Sequence, residues 1–367
     1  MPRVLVVGGY GNAGRAIVDL LIEFTDAAVH VAGRDLQRAK AFVDGYPKAI
    51  RGRLRPVSVD AADEESLVAA LTGCQLVVLA AGTPELSQST ALAAVAVGAD
   101  YFDLQVGEQH LPGLRSLETE LRARGLCAVT QGGFHPGVPA AMVRHVAART
   151  PGLETARVGS VIALDWGSLG PFADTTVAEM MAEFRNFGYQ EFRDGRWQRA
   201  ARQYKVDFPA PFGRRACAAM SLPEMHAVTG EIPTLVNTGF YVGGFNKVVD
   251  YAVLPAIWLG MKAAPRHAER PMGRLLQWGL VRFSSAPFGT VLQLDGAVGQ
   301  EPPRTMMRLS HRDGYFLTAA AAVAAVRQLL DANGYRPGVH LQATFVKTDV
   351  FFSDLAAMGV SVDVMCR

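Results

Sequence analysis

Three glycines, Gly9, Gly11 and Gly14, stand directly behind the apolar run Val4-Leu5-Val6-Val7 and directly ahead of a segment with helical periodicity. Few folds accept that order. Gly9 permits a sharp turn out of the strand, Gly11 keeps the main chain bare, and Gly14 lets the following helix lie close against the strand. The first N–H groups of that helix then lack partners, and with the helix dipole they suit an anion such as a pyrophosphate. Tyr10, Asn12 and Ala13 complete the loop and belong to the same candidate site. Taken alone, the motif also fits a glycine-rich turn in another doubly wound fold, so its context decides.

That context is an alternation of short apolar runs and helix-period segments from residue 3 to about 135, which predicts a parallel sheet with crossover helices. Strands are expected at 3–7, 28–32, 54–59, 76–80, 101–104 and 127–131. Helices are expected at 12–24, 36–44, 64–71, 88–97 and 110–124. Beyond Gly132 the rhythm changes to a helix at 138–148, a strand at 157–164, and a capping box at Thr176 and Glu179 opening a helix through Phe187. Residues 188–250 read as loops and short strands. Residues 291–298 and 304–310 alternate as a strand pair, and an Ala-rich helix at 315–330 follows, ended by Gly334.

At 367 residues the chain exceeds one ordinary core, because domains cluster at about 100–200 residues. The expected architecture is α/β, a Rossmann doubly wound parallel sheet with an inserted second α/β domain built on a mixed sheet. The first domain takes 1–135 with about 314–367, and the substrate and dimerisation domain takes about 136–313. Lys and Arg number 36 against 34 Asp and Glu, too even a balance to indicate nucleic acid. Four cysteines lie far apart, so neither a metal site nor a disulfide framework is expected. The chain starts on an apolar strand without the pattern of a signal peptide, and a cytoplasmic protein is expected.

The end of the second strand selects between nicotinamide cofactors, since a carboxylate there bonds a ribose hydroxyl and an arginine accommodates a 2′-phosphate. The residues are Ala32-Gly33-Arg34-Asp35. Gly33 is read as leaving space and Arg34 as the phosphate-binding fork, with Arg38 one turn on and Asp35 free to cap the next helix. This favours NADP(H), with NAD left open. By topology, Asp60 and Ala61 after the third strand should flank the adenine. Ala81, Gly82 and Thr83 after the fourth should lie near the nicotinamide ribose.

Several pieces together resemble the saccharopine dehydrogenase family. They are Gly8-Gly9-Tyr10-Gly11-Asn12-Ala13-Gly14-Arg15, Ala32-Gly33-Arg34, Tyr101-Phe102-Asp103 with Gly107-Glu108, Gly133-Phe134-His135-Pro136-Gly137-Val138-Pro139, and the closing Asp313-Gly314-Tyr315, Leu317-Thr318-Ala319 and Pro337-Gly338-Val339. The resemblance implies a Rossmann domain whose sheet is completed by the C-terminal segment, and an inserted domain that often makes a dimer. It also implies hydride exchange between NAD(P)H and a C=N or, in some members, a C=C bond. His135 departs from the pattern, because an acidic residue commonly precedes Pro-Gly there, and the substrate of better-known members does not carry over.

Hydride addition needs a polarised acceptor, so a titratable group beside the nicotinamide is sought. His135 is the candidate proton donor, weighed against simple bracing of the Pro136-Gly137 turn. Asp103 and Glu108 follow the fifth strand as further catalytic candidates, with turn hydrogen bonding the competing reading for Asp103. Thr175, Thr176, Arg202, Lys205, Arg214 and Arg215 are weaker candidates for binding an anionic substrate group. The stretch 240–288 carries apolar helical faces beside Lys262, Arg266, Arg270 and Arg274, which suits a homodimer interface or contact with an anionic membrane. Two alternatives to an imine reductase stay open: an enoyl-type reductase of a lipid-like substrate, and a non-enzymatic NADP(H)-sensing protein.

Overall fold

A computed structural model describes residues 1–81, 84–167, 188–263, 268–331 and 336–366. The chain forms two compact units, Met1–Ala141 with Tyr315–Val360, and Met142–Gly314 with Ser361–Arg367. The sheet of the first unit contains β1 (Arg3–Val7), β2 (Ala28–Gly33), β3 (Leu54–Ser58), β4 (Leu76–Leu79), β5 (Asp100–Asp103) and β6 (Cys127–Thr130). Their order is β6-β5-β4-β1-β2-β3, with the C-terminal strand Gly338–Leu341 added beside β6, and all neighbours run parallel. Val4, Leu5 and Val6 on β1 and all of β4 are fully buried. Burial on both faces is what makes these strands read as unbroken apolar runs.

The strand order reverses between β1 and β4, and such a switch point leaves a crevice beyond the carboxyl ends of the two strands. The helices that follow β1 and β2 are α1 (Asn12–Phe24) and α2 (Leu36–Asp44). The helix expected at 110–124 is broken into Leu111–Arg115 and Glu118–Arg124. Ser116, between the two pieces, donates its hydroxyl to the Gly113 carbonyl at 2.7 Å, the local bonding by which Ser competes with helix continuation. The Ala-rich helix spans Gly314–Leu330, with Ala319 through Val326 wholly buried, and Arg327 pairs with Asp354 at 2.5 Å to hold the helix Thr348–Ala357.

The second unit holds a mixed sheet in the order Tyr204–Asp207, Arg214–Met220, Asn237–Gly243, Leu153–Ala163, Gly289–Val298, Arg304–His311 and Ser361–Val364. Only Asn237–Gly243 and Leu153–Ala163 pair in parallel. Residues 188–250 are more regular than expected: a hairpin, Gln190–Arg193 with Arg196–Arg199, precedes three further strands and the helix Pro223–Glu231. The expected assignment of everything after 314 to the first unit is corrected at the C-terminal end. Ser361–Val364 pairs antiparallel with Arg304–His311, and the Met365 N–H reaches the Met306 carbonyl at 2.8 Å, so the last residues go with the second unit. The capping box at Thr176 and Glu179, together with Thr175 and Gly334, lies outside the described residues.

Candidate dinucleotide site and the polar cluster beside it

The turn after β1 is tighter than the three-glycine reading implies. The left-handed residue is Gly8, at φ +81°, where a side chain would also crowd the Ala80 and Ala81 main chain. Gly8 was not among the expected site residues, and its signal was the doubled glycine at 8 and 9. Gly9 is required for a different reason: a Cβ there would sit 2.9 Å from the Val6 carbonyl oxygen and 3.1 Å from Val31. A Cβ on Gly14 would run into the carbonyl of Gly8, so α1 can pack this closely only with glycine there. At Gly11 a Cβ would meet only the Gly8 oxygen, at 3.1 Å.

The amino end of α1 is uncapped. Gly11 occupies the N-cap without a side chain, and the first turn holds no acidic residue. Its free N–H groups and the positive end of the helix dipole therefore point out of a bare glycine loop, which fits a pyrophosphate. Asn12 is exposed and Ala13 half-buried, both on the first turn, and Arg15 donates to the Tyr10 carbonyl at 2.8 Å.

Tyr10 does more than line the loop. Its ring lies against Gly33, where an added Cβ would come within 2.6 Å of ring carbons, and its hydroxyl accepts the Asp35 N–H at 3.0 Å. The space at Gly33, read as room for the ligand, is thus filled by the Tyr10 ring, which carries the Arg38 guanidinium on its face at 5.0 Å. Asp35 accepts from the N–H groups of Gln37 and Arg38 at 2.9 and 3.1 Å, an N-cap that commits its carboxylate to α2. Arg34 is exposed and makes no ion pair among the described residues. A hollow of about 350 Å³ between α1 and α2 is lined by Arg15, Arg38, Ala41, Phe42 and Gly45.

Beyond β3, Asp60 is exposed and accepts the Ala62 N–H at 3.0 Å, whereas Ala61 is packed into the apolar core and offers only main chain. Beyond β4, the Ala81 carbonyl accepts from Gln105 Nε2 at 2.7 Å, and Gly82 and Thr83 lie outside the described residues.

Asp103 ends β5 with no exposed surface. Its Oδ1 accepts from the Gln105 N–H at 3.1 Å, Thr130 Oγ1 at 2.7 Å and the Gln131 N–H at 3.1 Å, and its Oδ2 accepts from Tyr101 at 2.8 Å. Four donors on a carboxylate without exposed surface fit the turn-and-strand role weighed for Asp103. Burial, then the adjacent Asp103, pushes the Tyr101 hydroxyl well above its ordinary pKa and keeps it a donor. Thr130 spends its proton on Asp103, so His110 Nε2, 2.9 Å away, must donate to Thr130. His110 is therefore the Nε2–H tautomer, and burial lowers its pKa. Gln131 follows at φ +56°, a strained conformation for a residue other than glycine, and donates from Nε2 to the Gly107 carbonyl at 2.6 Å. None of Gln105, His110, Thr130 or Gln131 was expected at the site. Their one sequence signal is the switch from apolar to polar at the ends of β5 and β6.

Glu108 is exposed. The His135 ring lies against Phe134, tilted by 47° with centroids 4.2 Å apart, and the residue precedes a cis Pro136. Burial pushes its imidazole down to about 4, which favours the neutral ring at neutral pH. The unfolded chain, near 6.5, then binds more protons than the folded one between pH 6.5 and 4. Stability from this group is complete above 6.5 and falls as the pH drops towards 4. His135→Gln should flatten that part of a urea-midpoint profile against pH; an unchanged profile would remove His135 as its source.

Among the weaker candidates, Arg214 lies 3.7 Å from Asp207 and Arg215 donates to the Phe212 carbonyl at 3.2 Å, so both are engaged within the second unit. Cys74, Cys127 and Cys217 are buried free thiols, each pushed upward by burial, Cys217 to about 12.

A parallel sheet in this order, with a bare glycine turn at its switch point, defines a dinucleotide-binding Rossmann domain. Residues 4–129 match the family model of the saccharopine dehydrogenase NADP binding domain. Among solved structures, the apo histidine-tagged saccharopine dehydrogenase (L-Glu forming) from Saccharomyces cerevisiae is similar over 99% of this chain and 99% of that one, at 16% identity and a TM-score of 0.70. At that identity the likeness is one of fold, and it extends through both units. C. glutamicum DAP dehydrogenase in complex with DAP (14% identity, 97% and 98% of the two chains, TM-score 0.44) and an engineered D-amino acid dehydrogenase bound to NADP+ (14%, 97% and 98%, 0.46) are too different in shape to add to it. No curated protein matches the chain.

Proposed function

We propose that this chain is a cytoplasmic, homodimeric NADP(H)-dependent oxidoreductase that exchanges hydride with the C=N bond of a small amine or imine. Bound NADP(H) supplies or accepts the hydride. The main chain from Gly8 to Gly14 holds the pyrophosphate, and Arg34 holds the 2′-phosphate. Glu108 is the exposed carboxylate for a substrate amine. The neutral imidazole of His135 serves as a hydrogen-bond donor to the reacting nitrogen. Asp103 keeps the ends of β5 and β6 in place behind them.

The observation that carries the cofactor choice is the division of labour at Arg34-Asp35. The carboxylate that would select a ribose hydroxyl is spent on capping α2, while the guanidinium beside it is exposed and unpaired among the described residues. Arg34→Ala should weaken NADPH binding by about 10- to 100-fold, the equivalent of one charge-assisted hydrogen bond pair, and leave NADH binding nearly unchanged. Fluorescence titration with each nucleotide measures both; equal losses would take Arg34 out of the phosphate site. NADPH oxidation with mixtures of oxo acids and amines then tests the C=N reading. Oxidation only with enoyl thioesters would replace it by the enoyl reductase reading, which the apolar helices at 248–283 favour.

A further inference from the structure

The second unit carries two consecutive helical segments, residues 249–263 and Glu269–Phe283, joined through 264–267, which lie outside the described residues. Their inner faces make a small core of Val249, Val253, Ile257, Leu276 and Leu280. The outer faces break the usual pattern of a surface helix, which turns polar residues outward. Tyr251 is 76% exposed, Trp258 64%, Leu259 63% and Trp278 54%. Tyr251, Pro255, Trp258, Leu259 and Lys262 fall at helical spacing on one exposed stripe, with no charge before Lys262. A single exposed apolar residue needs no explanation, but two tryptophans, a tyrosine and a leucine on adjacent helices mark a surface that something covers.

The charges around this patch say what kind of surface fits. From residue 247 to 282 there are six Lys and Arg against two Asp and Glu, an excess of four, where the whole chain has an excess of two. Lys247, Lys262, Arg270, Arg274 and Arg282 are all exposed, and none forms an ion pair among the described residues. Asp250 is turned back onto the Phe245 N–H at 2.9 Å. Lys262 lies over the Trp258 ring at 5.2 Å, and Arg282 over Phe283 at 5.8 Å, an arrangement that keeps the charges level with the rings. A second copy docking through the same face would set one cationic patch against another, because a two-fold interface pairs the same surface on both subunits. The patch therefore lacks the charge pattern for pairing with itself.

We propose that the outer face of the 249–283 helices binds an anionic lipid surface. Tyr251, Trp258, Leu259 and Trp278 enter the headgroup region, and the five cations neutralise lipid phosphate and carboxylate groups around them. The contact is peripheral, since no described helix is long and apolar enough to cross a membrane. The apolar side chains contribute hydrophobic burial and the cations contribute charge attraction, so neither half suffices alone.

The full-length protein, incubated with vesicles of phosphatidylcholine and phosphatidylserine, should sediment with them and not with phosphatidylcholine alone. Tryptophan emission should shift to the blue on binding. Trp258→Ala combined with Trp278→Ala should lower the partition coefficient at least about tenfold, and Arg270→Glu with Arg274→Glu by at least about fivefold per charge. All four positions are exposed, and an unaltered thermal melt and NADPH titration show that the fold and the cofactor site are intact. Absence of sedimentation with anionic vesicles overturns the proposal, as does binding insensitive to the tryptophan pair. Concentration-dependent self-association that is lost in the tryptophan variant would assign the face to a second copy, and capture of an acidic protein in place of vesicles would assign it to that partner. Because the readout needs no nucleotide, its failure is separate from any failure of the oxidoreductase reading.

Discussion

Gly14→Ala is expected to cost NADPH affinity about 100-fold or more, comparable to losing one or two charge-assisted hydrogen bonds at about 1.5–3 kcal/mol each. The added methyl has no soft neighbour: it meets the carbonyl of Gly8 and lies 2.8 Å from Gly9 Cα, all main chain. Relief requires α1 to move away from the turn, which pulls its free N–H groups from the position where a pyrophosphate would be held. Overpacking of this kind also lowers stability by about 1–3 kcal/mol. Gly52→Ala supplies the control. Gly52 sits at φ −61° and ψ −19° with nothing within 4 Å of the new methyl, so alanine there should stabilise by about 0.4–1 kcal/mol and leave binding untouched. Nucleotide titration alongside thermal melts separates the two effects, and retained affinity in Gly14→Ala would mean that α1 is not the anion site.

Asp103→Ala is expected to destabilise the first unit by about 3–5 kcal/mol, since it strands buried donors that face no solvent. Tyr101, Gln105, Thr130 and Gln131 all lose their acceptor at once, and the Thr130–His110 contact loses its orientation. Asp103→Asn keeps one carbonyl oxygen for the three donors on Oδ1 and lets the Tyr101 hydroxyl turn to accept, so about 1–2 kcal/mol is expected. Urea unfolding midpoints measure both. A loss below about 1 kcal/mol for the alanine variant would contradict the staple role and reopen a direct one in the reaction.

The legibility of this chain followed the physics of each segment. The helices at 12–24, 36–44 and 64–71 were readable to the residue because their starts carry local signals, the glycine turn before α1, Asp35 before α2 and Asp63 before the third. The central strands β1 and β4 were readable because burial on both faces selects almost unbroken apolar runs. Residues 188–250 were harder, since short edge strands with mixed faces give weak periodicity. One signal there was nonetheless present: Asp194-Gly195, with φ of +54° and +74°, is the two-residue turn of the hairpin Gln190–Arg199. The last strand, 361–364, is largely exposed and pairs with a segment fifty residues upstream, so no local pattern announces it.

The candidate site divides in the same way. Its phosphate end was legible because main-chain geometry demands glycine, a demand written directly in the sequence. Gly33 shows the limit, since a glycine can make room for a neighbour, here the Tyr10 ring, as readily as for a ligand. The cluster of Asp103, His110, Thr130 and Gln131 joins residues from two strands and a loop, and their association exists only after β5 and β6 pair. His135 was found by position, but its protonation state depends on burial, which a local reading does not supply.

The proposed oxidoreductase activity depends on bare main chain at the amino end of α1 holding a dinucleotide's pyrophosphate. A crystal structure grown with NADP+ tests this most directly: the pyrophosphate should lie against the N–H groups of the Gly9-to-Gly14 loop, with the 2′-phosphate at Arg34. Nucleotide bound elsewhere on the chain, or none at saturating concentration, would contradict it.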